Sequence, residues 1–346
     1  MKIAHVYIGN SIKHPIIKTY IDFSAEIGVT ELELIDSKQE GSRVARVFDV
    51  LKKLVNSRST IYQSHDIVSC ILVKIFKWNS VHVYDMHEIY SSYFKNSIIR
   101  KLFFYIEKLL LKSTQFVLIP NEERAQLFFK DRDRTIKYEV VENLLNDKEL
   151  STEDLNFNSV PKTFKFNERE LRCFYAGTFT EVRALSEICL AIELLIGIGY
   201  KIVLDLYGAK TDCVNKVIKS HSFVNYCGSV SRAELLSKYI HYDFSFAFYK
   251  PTNLNNIYCA PTKIFEHEYY MLKTVVGPSG YLLRLVDEGV INNVVVSLGY
   301  EPKEIAHAIT RVLDSDQGAV SQRQKERLLW SYQISKIKQL YRKFNG

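Results

Sequence analysis

The chain has 346 residues, 47% of them hydrophobic and 25% charged, an ordinary globular balance and enough length for two domains of roughly 150 residues. Its formal charge is +7, and the excess is concentrated: residues 318–346 hold seven Lys or Arg against Glu326 alone. No window approaches the ~18 uninterrupted apolar residues of a membrane span. The opening MKIAHVYIGN reads as a strand and not a secretion signal, so a cytoplasmic protein is expected. The six cysteines (Cys70, Cys173, Cys189, Cys213, Cys227, Cys259) form neither a zinc pattern nor a disulfide framework, and reduced core thiols are expected.

In chain order, KIAHVYI, ELELI, STIYQSHD, VHVYDMHE, QFVLIP and YEVVEN read as strands with helical stretches between most of them. Between QSHD and QFVLIP, KNSIIRKLFFYIEKLLLKS (95–113) reads as a helix. Ile98, Ile99, Leu102, Phe103, Ile106, Leu109 and Leu110 share one broad face, and Arg100, Lys101, Lys108 and Lys112 fall mostly off it. Packing on a sheet is one reading of that face; lying on an anionic leaflet is the other. After a polar stretch, roughly 146–168, the pattern restarts with LRCFYAG, KIVLDLYG, SFVNYCG, DFSFAFY, KTVVG and NNVVVS. Such alternation builds parallel sheets covered by helices. It predicts two Rossmann-like α/β domains, residues 1–160 and 161–324, facing each other across a cleft, with a last helix at about 325–346 returning to the first. The basic last helix reads either as a solvated face or as a contact for an anionic surface.

Ligands of open α/β sheets bind beyond the carboxyl ends of the strands. There the sequence places Asn10, His65-Asp66, Asp85-Met86-His87-Glu88, Gly177, Gly208 and Gly228. GxGxxG and a Walker lysine loop are absent, so a nicotinamide or ATP site lacks its signature. YAGTFTEVRALSE (175–187) joins a strand, a glycine turn and a helix beginning near Arg183, the parts of a diphosphate cradle. LDLYGAK and NYCGSV end strands in small residues whose backbone can meet a flat heterocycle. PTKIFEHEYYMLKTVV (261–276) opens a helix with Thr262, Lys263 and Glu266; its amides suit phosphate, and Glu266 suits the two hydroxyls of a ribose. Complementing the helix dipole is the plainer role for Glu266 and Glu268. Asp131-Arg132-Asp133 and Asp314-Ser315-Asp316 both match Asp-x-Asp, and solvated loops are expected there rather than a metal site. His65 suits either the acceptor side or strand-end packing. Surface or core placement is the default for His5, His14, His82, His221, His241, His267 and His307.

The succession YAGTF…R, LYGAK, VNYCGSV and APTKIFEHEYYMLKTVVGPSGYLLRLVDEG resembles the donor-binding domain of the retaining glycosyltransferases of family 4, which have the GT-B fold. IYQSHD, VYDMHEIY and VVENLLN resemble the acceptor domain of the same family. The resemblance implies that Arg183 holds the donor diphosphate, that Glu266 binds the nucleotide ribose and that Thr262 and Lys263 lie near the phosphates. Gly177 and Gly208 would let the donor approach, and the backbone of Ser229 and Val230 would meet the base. His87 would orient the donor sugar, with Asn10, His65 and Glu88 on the acceptor side. Two positions depart from the family pattern: Tyr258 stands where a sugar-binding glutamate is frequent, and Thr178 where an arginine is frequent. Lys263 would then supply the missing cation. The implied activity is transfer from a nucleotide-diphosphate sugar, a UDP-sugar favoured, to a saccharide with retention. The expected acceptor is a polyprenyl-diphosphate-linked glycan at the inner membrane face, in surface polysaccharide synthesis, with no metal, cofactor or nucleic acid. A non-catalytic nucleotide-sugar-binding subunit and a nucleotide-sugar epimerase of the same fold are the alternatives.

Overall fold

The computed structural model describes residues 1–37, 42–129, 137–150, 169–315 and 320–344. Asp131-Arg132-Asp133 and Asp316, parts of the two Asp-x-Asp matches, lie outside the described residues. The chain divides into two compact units: Met1–Asn143 with Asn253–Asn255 and Trp330–Gly346, and Leu144–Thr252 with Asn256–Leu329.

The first unit is a parallel sheet of order β2-β1-β3-β4-β5-β6. Its strands are β1 (Lys2–Tyr7), β2 (Glu31–Asp36), β3 (Ile61–Ser64), β4 (Val81–Asp85), β5 (Phe116–Ile119) and β6 (Tyr138–Val140). Between them run α1 (Pro15–Asp22), α2 (Arg43–Asn56), α3 (Ile67–Phe76), α4 (Ser97–Ser113) and α5 (Glu122–Phe129). Strands β3 and β5 are buried at every position, the pattern of a sheet covered on both faces. Ala4, Val6, Ile35, Val50, Leu54, Tyr62 and Val73 form one part of its core. The C-terminal segment completes this unit. Trp330 packs on Tyr20 and Phe23, with ring centroids 5.3 and 4.8 Å apart. Gln333 bonds both backbone groups of Glu142 at 3.1 and 2.9 Å. In the last helix, Ile334–Arg342, Lys336 pairs with Glu139 at 2.7 Å and donates to the Val140 carbonyl.

The apolar residues of α4 do not form one buried face. Only Glu107 and Leu111 of this helix are buried. Phe103 and Phe104 stack on Phe94 and Phe128, whereas Ile98, Leu102, Tyr105 and Leu109 form an exposed ridge. These four recur at i, i+4, i+7 and i+11, one stripe of a helix. The expected single broad face is therefore split between the unit and its outer surface.

The second unit is a parallel sheet of order β12-β11-β10-β7-β8-β9. Its strands are β7 (Leu171–Ala176), β8 (Ile202–Tyr207), β9 (Val224–Gly228), β10 (Phe244–Ala247), β11 (Lys273–Val276) and β12 (Val294–Val296). Helices α6 (Leu185–Gly197), α7 (Asp212–Ser220), α8 (Arg232–Lys238), α9 (Thr262–Tyr269), α10 (Gly280–Asp287) and α11 (Pro302–Asp314) cover it. Cys173, Leu204, Phe244, Phe246, Val275, Ile305 and Ile309 are among its fully buried core residues. In both units the first strand lies inside the sheet with the chain running outward on either side, so each has a topological switch point at which ligands of such sheets gather.

None of the six cysteines is in a disulfide; Cys70, Cys173 and Cys189 are buried, while Cys213 and Cys259 are half-buried and Cys227 is exposed. Only half of them are the core thiols expected.

Three glycines tie the strand tips of the second unit together. Gly177 N–H donates to the Tyr207 carbonyl at 2.8 Å, and Gly208 N–H to the Gly228 carbonyl at 2.9 Å. A side chain on Gly208 would meet the Gly177 carbonyl oxygen at 2.0 Å, and its φ of +147° is one that L residues rarely adopt. Gly208→Ala is therefore expected to cost at least about 2 kcal/mol. Gly197→Ala, with nothing within 4 Å of the added atom, is the control and should be neutral or slightly stabilising; urea denaturation of both variants checks this.

Candidate functional site

At the tip of β7 the chain turns through Gly177, at φ +145°, and enters a single 3-10 turn, Glu181–Arg183, before α6. Arg183 is half-buried. Its guanidinium carbon sits 4.0 Å above the ring centroid of Tyr249, its carbonyl accepts from the Tyr175 hydroxyl at 3.0 Å, and its Nη1 is buried without a hydrogen-bond partner. A buried, unpaired guanidinium N–H is costly. A bound anion would remove that cost.

Lys263, in the first turn of α9, faces the same turn. Its ammonium donates to the Ala176 carbonyl at 2.6 Å, lies 5.8 Å from the Tyr175 centroid and stands 3.4 Å from where a side chain on Gly177 would begin. Gly177 is thus the residue that lets a backbone turn and an ammonium share one space. Burial, and then the positive charge of Arg183, lowers the Lys263 pKa to about 8. Neither α6 nor α9 has a side-chain N-cap: Ala184 and Pro261 precede them. The free amides at both helix starts add partial positive charge. Thr262 opens α9 and is half-buried, and Thr178 is exposed.

Glu266 is only 8% exposed. Its Oε1 lies 2.7 Å from Arg232 Nη2, and its Oε2 accepts from the Tyr239 hydroxyl at 3.2 Å. Arg232 Nη2 makes no well-directed hydrogen bond, so that contact is ionic; the same guanidinium bonds Glu149 through Nη1 at 2.5 Å. The sequence reading missed Arg232 and Tyr239. A signal for Arg232 was present, since a cation at the first position of α8 opposes the helix dipole and calls for another purpose. Glu268 has a different task from the dipole role considered for it. It is buried and accepts from the amides of Asn292 and Asn293, each at 2.9 Å, fixing the approach to β12. Gly208 lies beside Gly177, and its carbonyl accepts from the Tyr226 hydroxyl at 2.9 Å. Ser229 is exposed and Val230 half-buried, in the loop after β9.

In the first unit, three histidines form a run. His5 Nδ1 and His65 Nε2 are 2.7 Å apart, and His65 Nδ1 and His87 Nε2 are 2.9 Å apart. Asp85 Oδ2 lies 3.3 Å from His65 Nδ1 and 3.6 Å from His87 Nε2, and accepts from Gln63 at 3.1 Å. Burial lowers the pKa of His5 and His65 well below the usual range and that of His87 to about 3, the nearby Asp85 offsetting part of the effect on His87. The imidazoles are therefore neutral hydrogen-bonding groups at physiological pH. His65, Asp85 and His87 place their donor atoms within 4.8 Å of one another, a spacing a cation would accept; in the structure these atoms bond to each other instead.

The loop carrying His87 is held from beneath. Buried Arg124 donates to the His87 carbonyl at 2.6 Å, and buried Glu107 accepts from the amides of Tyr90 and Ser91 at 2.8 and 3.2 Å. Asn255 brackets Ile89 with two hydrogen bonds. None of these supports was identified from sequence. A cavity of about 760 Å³ opens at these strand ends, with His65, His87 and Glu88 in its wall. Asn10 is not among the lining residues; its side-chain oxygen accepts from the amides of Ile12 and Lys13 and shapes the turn after β1. Asp66 caps α3, accepting from Ser69 N–H at 2.9 Å.

The whole chain is similar to solved glycosyltransferase structures. It aligns with sucrose-phosphate synthase from Thermosynechococcus elongatus at a TM-score of 0.68 and 12% identity, over 99% of both chains. With Anabaena HepE in complex with UDP-glucose, the TM-score is 0.67 at 12% identity, over 99% of this chain and 100% of that one. A glycosyltransferase from Rickettsia africae gives 0.66 at 14% identity, over 100% and 99%. No protein-family model and no curated protein matches the sequence. At these identities the likeness is one of fold: two Rossmann-like units, each on a six-stranded parallel sheet, the GT-B fold.

The depressed Lys263 gives a direct test of the cationic turn. Its folded-state pKa, about 8, lies below the roughly 10.4 of an unfolded lysine. Between those values the unfolded chain binds more protons, so this group's burden on stability is full below pH 8 and is relieved as pH rises toward 10.5. Lys263→Met is expected to raise stability at pH 7 by roughly 1–3 kcal/mol, a gain that shrinks above pH 8; denaturation curves at pH 7, 8.5 and 10 measure it.

Proposed function

We propose that the protein is a glycosyltransferase that moves a sugar from a nucleotide-diphosphate donor to a saccharide acceptor. The observation that carries this reading is the unsatisfied positive charge at the tip of β7: Arg183 with an orphaned buried N–H and Lys263 with a depressed pKa, beside a glycine turn and two helix starts without side-chain caps. A diphosphate answers each of these at once. Glu266, five residues beyond Pro261, is assigned to the ribose, where the hydroxyls would share its carboxylate with Arg232 and Tyr239. The loop of Ser229 and Val230 is assigned to the base. The HepE structures hold UDP or UDP-glucose, which favours a UDP-sugar here.

In the reaction, the bond from the anomeric carbon to the leaving phosphate oxygen breaks and a bond to the acceptor hydroxyl oxygen forms. Negative charge develops on the departing diphosphate, where Arg183 and Lys263 stabilise it; fixed donors of this kind are worth about 2.7–4 kcal/mol each. We assign retention of configuration, with the leaving phosphate taking the acceptor's proton on the same face, so that no protein base is required. His87, neutral and held at both ring and backbone, orients the donor sugar. The fixed cations supply the charge stabilisation that a metal would otherwise give. No paired acids and base suited to epimerisation accompany this turn among the described residues.

A lipid-linked acceptor in surface polysaccharide synthesis is the finer part of the proposal. It is supported by the exposed ridge of Ile98, Leu102, Tyr105 and Leu109 with Lys101, Lys108 and Lys112 alongside, an arrangement suited to an anionic membrane face. No helix among the described residues is long and apolar enough to cross a membrane. Leu102→Ser with Leu109→Ser should leave the melting temperature unchanged and reduce cosedimentation with phosphatidylglycerol-containing vesicles several-fold.

The activity itself is tested by incubating purified protein with UDP-, GDP- and ADP-sugars and following nucleotide release. Arg183→Ala is expected to cut turnover by at least ~10², and Glu266→Ala to weaken nucleotide binding ten-fold or more. Wild-type rates in both variants would remove the site assignment.

A further inference from the structure

The cavity at the ends of β1, β3 and β4, about 760 Å³ in volume, has a lopsided charge balance. Its two carboxylates are already engaged. Asp66 accepts from the amides of Ser69 and Ile8, each at 2.9 Å, and Glu88 accepts from the Tyr93 hydroxyl. Its two guanidiniums, on Arg43 and Arg46 of α2, are not. Arg46 Nε is buried with no hydrogen-bond partner, and Arg43 makes one long bond, Nη2 to the Tyr90 hydroxyl at 3.3 Å. Both stand in the first turns of a helix whose first turn has no acid, where a cation opposes the dipole and contributes nothing to folding. His14, in the same wall, also has a buried Nδ1 without a partner, and burial keeps it neutral by lowering its pKa.

We propose that this cavity binds the acceptor saccharide and that Arg43 and Arg46 read a phosphate attached to that saccharide. The inference rests on the glycosyl-transfer reading and names its acceptor class: a sugar phosphate or a sugar diphosphate, not a neutral glycan. Two guanidiniums three residues apart on one helix would be wasted on a neutral ligand, whereas a phosphate matches their planar donors with paired, charge-assisted bonds. Tyr7 and Tyr90 give the flat, partly apolar wall that such pockets present to the rest of a ligand, and His14 Nδ1 supplies one neutral polar contact.

Three probes distinguish the source of the phosphate: a hexose 1-phosphate, the corresponding methyl hexoside and a short-chain prenyl diphosphate hexose. Binding is followed by ligand-detected NMR. Wild type and Arg183→Ala are expected to hold at least one phosphorylated probe about ten-fold or more tighter than the methyl hexoside. The double variant Arg43→Gln, Arg46→Gln should hold all three alike, and Arg46→Lys, which keeps the charge without the fork, should retain part of the preference. Preference for the prenyl probe alone assigns the phosphate to a lipid-linked acceptor; preference for both assigns it to the sugar phosphate itself. Equal binding of the three probes by wild type overturns the inference. So does a preference that survives the double variant and vanishes in Arg183→Ala, which places the phosphate in the second unit and leaves glycosyl transfer standing.

Discussion

Two like charges held close in a half-dry turn set the terms for the second unit. Arg183 and Lys263 converge on the tip of β7, where burial and then the charge of Arg183 make it harder for Lys263 to hold its proton. The surrounding residues soften this without cancelling it. Tyr249 and Tyr175 offer ring faces to the two cations, and the Ala176 carbonyl takes one ammonium proton. Among the described residues no carboxylate forms an ion pair with either cation, and Glu266 is turned to Arg232 and Tyr239. A fold selected for stability alone would place an acid there. Leaving the charge open lowers resting stability and keeps binding energy in reserve for an anion.

The first unit solves a different problem. It buries the His5–His65–His87 run and keeps the imidazoles neutral, so at His65 and His87 its cavity wall offers hydrogen bonds instead of charge. Each ring is satisfied largely by the next, and the backbone around His87 is pinned by Arg124 and Glu107. Such a run of polar contacts resists rearrangement, because moving one member strands another in a low-dielectric interior. His87 is accordingly placed with little freedom, which suits the sugar-positioning role proposed for it.

Much of this was legible in the sequence. The twelve described strands fall on segments that read as strands; most are apolar runs, as parallel strands buried on both faces must be, whereas β2 alternates Glu and Leu and β6 is Tyr-Glu-Val. Gly177 and Gly208 were visible as strand-end glycines, although their mutual contact was not. Long-range polar pairings were the part that could not be read. Glu266 with Arg232, Glu268 with Asn293 and Arg124 with the His87 carbonyl join residues 25 to 37 positions apart, and nothing local in the chain announces them. The α4 helix shows the reverse limit. Its periodicity located the helix, but a broad apolar stripe looks the same whether a neighbour covers all of it or half of it.

The contact between Gly177 and Gly208 reaches beyond folding. Since the carbonyl of one loop fills the space that a methyl group would need on the other, the two loops form a single mechanical piece. A protein engineer wishing to graft different strand-tip loops onto this scaffold would have to exchange both segments together, as a matched cassette. Randomising either alone would mostly sample clones that fail to assemble.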